Sequence, residues 1–311
     1  MGISTSVVRP AIVAVAHNDW VRRVATRSAI GRAVADRFVA GETLAEALAV
    51  ARDLADNGCA SMLNHLGENV ESQQDALAAR EAYLAEVAAI VEQSELDLVV
   101  STKLTQLGLD DSVDTCWSNL VPILDAAAAA RLDVMIDMED HSTVDATLDV
   151  FARAHTHYPA TGVAVQSYLR RTPDDLFTLP AGCRVRLVKG AYLEPREITL
   201  RAKREVDRAF RRQFTTLLDR GHRVDVATHD PAIVEGVCER VDTVADGWER
   251  VEIQMLYGVR RDLQAKLAAK GYPVRVYIPY GTEWYPYLTR RMAERPANLW
   301  FFASNLTRTA R

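Results

Sequence analysis

From residue 60 onward the chain repeats one rhythm: a short apolar, β-branched run, a polar break, then a longer Ala-, Leu- and Arg-rich stretch with helical spacing. The short runs fall at 60–66, 98–104, 133–138, 162–168, 185–190, 223–228, 251–256 and 274–278. Helix-length segments at 73–92, 113–131, 144–157, 200–220, 259–270 and 284–294 alternate with them. Eight strands separated by helices is the count of a closed parallel barrel. The alternative, an open doubly wound sheet, normally carries a Gly-rich phosphate turn. Neither G-x-G-x-x-G nor a Walker A sequence occurs in the chain. The predicted fold class is therefore α/β, a (β/α)8 TIM-type barrel, and 311 residues suit one such unit.

Before the first strand, Ala29, Ala33, Val34 and Phe38, then Leu44, Ala47, Leu48, Ala51, Leu54 and Ala55, recur at spacings of three and four. This predicts a small helical arm over 1–58, with Gly41 and Gly58 as stops, a barrel over 59–296 and a tail over 297–311. The net charge of −5 is spread along the chain without a basic block, which argues against nucleic acid as a partner. Cys59, Cys116, Cys183 and Cys238 are far apart and form no C-x-x-C pair, so neither a metal site nor a disulfide is expected. The most apolar stretch, 120–136, is interrupted by Asp125, Arg131 and Asp133, well short of the ~20 apolar residues a spanning helix needs. A cytoplasmic protein is expected, with any membrane contact peripheral.

Barrel chemistry gathers at the C-terminal ends of the strands. Those ends read Ser101-Thr102-Lys103, Asp137-Met138-Glu139-Asp140, Gln166-Ser167-Tyr168, Lys189-Gly190-Ala191-Tyr192, Thr228-His229-Asp230 and Gln254-Met255-Leu256-Tyr257. Strand five also carries Arg186, and strand eight carries Tyr277. One polar end could be the start of a solvated loop, but so many in register predict a polar pocket at one mouth. In the last helix Tyr287, Arg290, Arg291 and Glu294 stand at i, i+3, i+4 and i+7, on one face. That face reads either as a solvent ladder with an Arg290–Glu294 pair worth ~0.3–0.5 kcal/mol, or as an arginine pair for a carboxylate, which guanidinium forks grip bidentately. His155 and His157 read as surface residues, and Asp230-Pro231 as an N-cap followed by proline at the first helical position.

The segments STKLTQLG (101–108), DMED (137–140), QSYL (166–169), RLVKGAY (186–192), ATHDP (227–231), QMLYGVR (254–260) and YGTEWYPYLTRRMAERP (280–296) resemble the proline dehydrogenase family, especially its short monofunctional bacterial members. The resemblance runs in order over roughly 60–296 and is less distinct in the N-terminal arm. It implies a distorted barrel that binds FAD at the strand C-termini, with the last helix over the barrel mouth. By the same resemblance Asp137 and Arg186 are catalytic, and Arg186 also stands near the hydride-accepting nitrogen of the flavin. Arg290 and Arg291 are similar to the pair that holds the proline carboxylate, and Lys103 to a lysine that pairs with it. Tyr277, Leu256 and Tyr287 line the substrate pocket. Met138, Gln166, Lys189, Gly190, Ala191, Thr228, His229 and Glu294 match FAD-contacting positions, Gly190 by letting the cofactor approach the backbone. Asp230 stands where some members have Asn, a change expected to leave the chemistry untouched.

The implied reaction is oxidation of L-proline to 1-pyrroline-5-carboxylate by hydride transfer to FAD, with a quinone as electron acceptor. A separate 1-pyrroline-5-carboxylate dehydrogenase would take the product, since no second, aldehyde-oxidising domain is expected here. Asp137 is expected to position rather than to act as a nucleophile. Two rivals remain at this point: a Schiff-base barrel enzyme using Lys103 or Lys189, and an amino-acid-binding barrel without catalysis.

Overall fold

A computed structural model describes residues 35–67, 70 and 72–294, and the side chains of 290–294 lie outside it. The expected helices before residue 35 and the tail over 297–311 fall outside the described residues. Within them the strands β1 (Ala60–His65), β2 (Leu98–Thr102), β3 (Val134–Ile136), β4 (Thr161–Gln166), β5 (Arg184–Val188), β6 (Arg223–Ala227), β7 (Val251–Leu256) and β8 (Val274–Tyr280) close a parallel barrel in sequence order. The helices are α1 (Leu44–Asp56), α2 (Gln73–Val91), α3 (Val113–Ala129), α4 (Val144–His157), α5 (Thr172–Thr178), α6 (Lys203–Asp219), α7 (Pro231–Val241), α8 (Gly247–Arg250), α9 (Arg261–Ala269) and α10 (Trp284–Glu294).

Local chemistry starts the helices where the sequence suggests. Ser72 caps α2 through the Asp75 amide, and Ser112 caps α3 through the Thr115 amide. Asp230 caps α7 with Pro231 in the first turn, as its sequence predicts. Thr43 and Glu46 form a reciprocal capping box on α1. That helix packs against β1 and β8. Its Ala47, Leu48 and Ala51 are buried in the main apolar core. Its place is thus on the wall of the barrel, where a helix after β8 would otherwise lie.

The strands alternate apolar-out and polar-in. Leu63, Val100, Ile136, Val163, Val185, Val224, Ile253 and Val276 face the helices and build the main core. Their neighbours point at the axis. In the first strands these are apolar, and Met62, Val99 and Met135 form a small separate cluster. Toward the N-terminal ends of β5 to β8 they are charged: Arg184, Asp225, Glu252 and Arg275. Arg184 Nε grips both oxygens of Asp225 (3.0 and 2.8 Å), and its other nitrogens reach Asp133 (2.6 Å) and Glu252 (3.0 Å). Arg275 grips Glu252 (2.9 and 3.0 Å) and Asp97 (3.0 and 3.0 Å). These residues form an ionic floor at the N-terminal end of the barrel.

Over the opposite end runs α10. Its Trp284, Tyr285, Tyr287 and Leu288 form a second core with Leu66, Ala35, Phe38 and Val39. The segment 35–41 is stitched to the end of β8 by Ala40 N–H to the Pro279 carbonyl (2.9 Å) and Gly281 N–H to the Gly41 carbonyl (3.0 Å). It passes so close to the end of β7 that a Cβ on Gly258 would stand 1.7 Å from the Arg37 carbonyl oxygen. Only glycine fits there, and its φ of +74° suits glycine as well.

Candidate active site at the barrel mouth

Asp137 follows β3 by one residue, and its N–H donates to the Thr102 carbonyl (2.8 Å), so the ladder continues and its side chain faces the axis. Its carboxylate accepts from Ser101 Oγ (2.9 Å), from the Tyr277 hydroxyl (2.8 Å) and from Arg186 Nη1. Lys103 Nζ lies 3.4 Å away and donates to Asn64 Oδ1 (3.2 Å). Arg186 also donates from Nε to Gln254 Oε1 (2.8 Å) and from Nη1 to Ser101 Oγ (3.3 Å), rests Nη2 against the Met62 sulfur, and stands 5.4 Å from the Tyr277 ring centroid. Arg186 and Lys103 are only 4% and 5% exposed, so one buried carboxylate is shared by two buried cations.

That sharing sets the acid–base character of the cluster. Burial pushes the Asp137 carboxyl up, but Arg186, then Lys103, and the hydroxyls of Tyr277 and Ser101 outweigh it and hold it below the usual carboxylate range. Burial and the neighbouring Asp137 charge drive the Tyr277 phenol well above its ordinary value, so it stays a donor. Asp137 is therefore an anion with its lone pairs committed, suited to orienting partners and poorly suited to taking a proton. Tyr287 reaches the same cluster, near enough to act electrostatically on Tyr277. Leu256 is paired with Tyr277 in the β7–β8 register.

The ends of β4, β5 and β6 form the other bank. Gln166 Nε2 donates to the Glu139 carbonyl (2.8 Å), and the Glu139 carboxylate accepts from the Thr105 N–H (3.1 Å) and hydroxyl (2.6 Å), tying three strand ends together. Lys189 Nζ reaches Asp207 (2.6 Å) and Asp230 (2.9 Å), and Lys203 reaches the same two carboxylates (2.5 and 2.7 Å). Thr228 Oγ1 accepts the Asp230 N–H (3.2 Å). Asp230 thus anchors Lys189 as well as capping α7, a second duty its expected chemical neutrality did not include. His229 Nε2 accepts the Leu256 N–H (2.8 Å), which places the imidazole proton on Nδ1. Met138 packs in the main apolar core. Ala191 lies in the loop after β5 and is half-buried.

Gly190 has φ +118°, and a Cβ there would stand 2.2 Å from the Tyr168 ring. The close approach that requires glycine in this structure is that of Tyr168, whose N–H also donates to the Lys189 carbonyl (3.0 Å). The backbone of α10 carries residues 290–294, but the side chains of Arg290, Arg291 and Glu294 lie outside the described residues.

Asn64 and Gln254 complete the cluster around Asp137 and Arg186, and their roles were not read from sequence. Their signal was the period of two along β1 and β7, which puts them on the same face as Met62 and Glu252. Among the described residues no group of three or more His, Cys, Asp or Glu side chains is arranged to hold a metal. Both lysines considered as nucleophiles lie against carboxylates, the reverse of the desolvated or cation-flanked setting that activates an amine. The donor set fits a flavin ring. Arg186 brings buried positive charge, Gln166 and Thr228 bring polar groups, and Lys103 joins Arg186 beside Asp137.

A closed (β/α)8 barrel with a cluster of buried charged groups at the C-terminal ends of its strands defines the class: a TIM-type barrel with a candidate active site at its mouth. The sequence model of the proline dehydrogenase family matches residues 47–304, and the chain belongs to that family. The family is flavin-dependent in general. The chain is 35% identical over 278 residues to proline dehydrogenase 2 of Bacillus subtilis, covering 89% of this chain and 91% of that one. It is 36% identical over 307 residues to the proline dehydrogenase of Deinococcus radiodurans, covering 96% and 97%. Its fold matches the crystal structure of proline utilization A from Bdellovibrio bacteriovorus inactivated by N-propargylglycine, with a TM-score of 0.76 and 24% identity over 84% of this chain. This chain spans about a third of the length of that protein, 32%.

Proposed function

We propose that this protein oxidises L-proline to 1-pyrroline-5-carboxylate, the first step of proline catabolism, with FAD bound at the barrel mouth. The observation that carries the reading is the buried cluster in which Arg186 and Lys103 share Asp137. It sits at the functional end of a barrel whose relatives are proline dehydrogenases. When bound, the flavin supplies the hydride acceptor.

The chain's own residues do the rest. Lys103, with Arg290 and Arg291, is proposed to hold the proline carboxylate. Tyr277, Leu256 and Tyr287 wall the ring. Arg186 places fixed positive charge where electrons arrive, and needs no reorganisation to do so. Gln166, Lys189, Gly190, Ala191, Thr228 and His229, with Met138 and Glu294, are proposed to hold the cofactor. Proline must lose its hydride as a neutral amine, because an ammonium nitrogen has no lone pair to assist. Asp137 is saturated with donors, so the amine proton leaves to solvent as the substrate settles. A quinone is proposed to reoxidise the flavin, and a separate 1-pyrroline-5-carboxylate dehydrogenase to consume the product. Among the described residues no helix is long and apolar enough to cross a membrane, so we propose peripheral contact where the quinone is met.

The test is an absorbance spectrum of the purified protein before and after anaerobic L-proline, followed by acid release of the cofactor. A flavin band that bleaches on addition, and free FAD in the acid supernatant, are expected. A colourless protein that takes up no flavin on reconstitution would overturn the reading. Stopped-flow reoxidation with a soluble quinone, NAD and oxygen side by side tests the acceptor, and the quinone should be fastest.

A further inference from the structure

Arg186 is gripped from the floor of the barrel as well as from the mouth. Its Nε donates to Gln254 Oε1 (2.8 Å), while Gln254 Nε2 donates downward to Asp225 Oδ2 (2.7 Å) and Glu252 Oε1 (2.9 Å). Only one orientation of this amide satisfies its neighbours. Turned end for end, it would set its NH2 against a guanidinium and its oxygen against two carboxylates. Asp225 and Glu252 cannot swing away, because Arg184 and Arg275 hold them. Gln254 and Asp225 are fully enclosed, and a half-satisfied network at that depth is costly. Barrel interiors are usually filled by bulky apolar side chains. Here a neutral amide separates the cation at the mouth from two anions beneath it.

We propose that Gln254 is a positioning residue for the reaction: it fixes the guanidinium plane of Arg186 and keeps it out of direct contact with Asp225 and Glu252. The inference rests on the proposed function for its kinetic consequence, but its structural half stands alone. Without the amide the mouth would lose the orientation of Arg186. With a carboxylate in its place Arg186 would gain a second anionic partner, which would offset its charge at the mouth.

The test compares the flavin-loaded parent with Gln254→Met and Gln254→Glu. Three quantities are read: the hydrogen-exchange rate of the Arg186 Nε–H by nitrogen-15 NMR, the midpoint potential of the bound flavin, and kcat and KM for L-proline. In the parent the Nε–H should exchange slowly. Gln254→Met should speed that exchange and lower kcat at least about tenfold, with KM moving less than about threefold. Gln254→Glu should make the flavin potential more negative than it is in Gln254→Met. Parent-like exchange, potential and kcat in both variants would overturn the proposal, as would a change confined to KM. If neither variant retains flavin while Arg186→Leu does, Gln254 is structural only and the proposal also fails. A parent whose flavin proline does not reduce sinks the proposed function instead. The exchange rate and the potential then still decide the role of Gln254.

Discussion

The floor and the mouth of the barrel interior arrange their buried charge differently. On the floor Arg184 and Arg275 face the two enclosed carboxylates Asp225 and Glu252, with Asp133 and Asp97 adding support from the rim. Burial pushes Asp225 up, while Glu252, set between two guanidiniums, is held below its ordinary range despite its own burial. At the mouth Arg186 and Lys103 converge on Asp137, while Lys189 and Lys203 are held by Asp207 and Asp230. A set of buried charges locked into one another as on the floor has nothing left for a ligand. The same inward-facing positions of the same strands thus serve structure at one end and, on the proposed function, recognition at the other.

The largest expected effect comes from unbalancing the floor. Arg184→Leu leaves Asp225 and Glu252 short of a partner, and should cost about 3–5 kcal/mol in denaturant unfolding, the range for breaking a buried ion pair from one side. A loss below about 1 kcal/mol would mean that the floor is not a stability element. Next is Lys103→Met, which removes one of the two cations beside Asp137 while Asp137 keeps Arg186. It should cost about 2 kcal/mol in kcat/KM for proline, mostly as a raised KM, with a smaller change in unfolding midpoint. An unchanged KM would remove Lys103 from carboxylate recognition.

A third prediction concerns pH. Glu86 is buried on α2, and its carboxyl is pushed up to about 8 by burial, only partly offset by the Tyr280 hydroxyl that donates to it (2.5 Å). A folded value above the unfolded one means that the native state binds more protons, so this group's contribution to stability is full below its ordinary 4.5 and is lost as pH rises through about 8. Asp137 has the opposite sign. Its contribution is present above its ordinary 3.8 and is lost as pH falls through its lowered folded value. Glu86→Gln should therefore gain stability relative to the parent as pH rises from 4.5 to about 8, read from melting temperatures across that window. A constant difference would show that Glu86 does not titrate there. Smallest of all, Arg240→Ala breaks an exposed pair with Asp219 (3.2 Å) and should shift stability by no more than ~1 kcal/mol.

Much of this architecture is legible in the linear chain, because strand and helix periods are local signals. The predicted run at 251–256 coincides with β7, and 223–228 differs from β6 by one residue. The polar strand ends marked Lys103, Asp137, Arg186 and Tyr277 individually, and the structure brings all four into one cluster. The ionic floor was not read, although β5 spells Arg-Val-Arg-Leu-Val and β6 spells Arg-Val-Asp-Val-Ala. An alternating strand does not say which face points inward, and the usual barrel interior is apolar. Arg184 finds Asp225 and Glu252 across 41 and 68 residues, and only closure of the barrel brings them together. The position of α1 on the barrel wall was equally hidden, because an amphipathic helix states that it packs but not against what.

The contrast between the two ends comes to a point at Arg186, whose guanidinium touches Asp137 above and the Gln254 bridge below. Its most direct measurement is anaerobic stopped-flow reduction of the bound flavin by L-proline, in the parent and in Arg186→Leu. The expected result is a variant that keeps its flavin and its fold, is reduced roughly 10²–10³-fold more slowly, and has a more negative flavin potential, since it has lost a preorganised charge. Reduction at the parent rate with an unchanged potential would show that the Arg186 charge at the mouth plays no part in the chemistry.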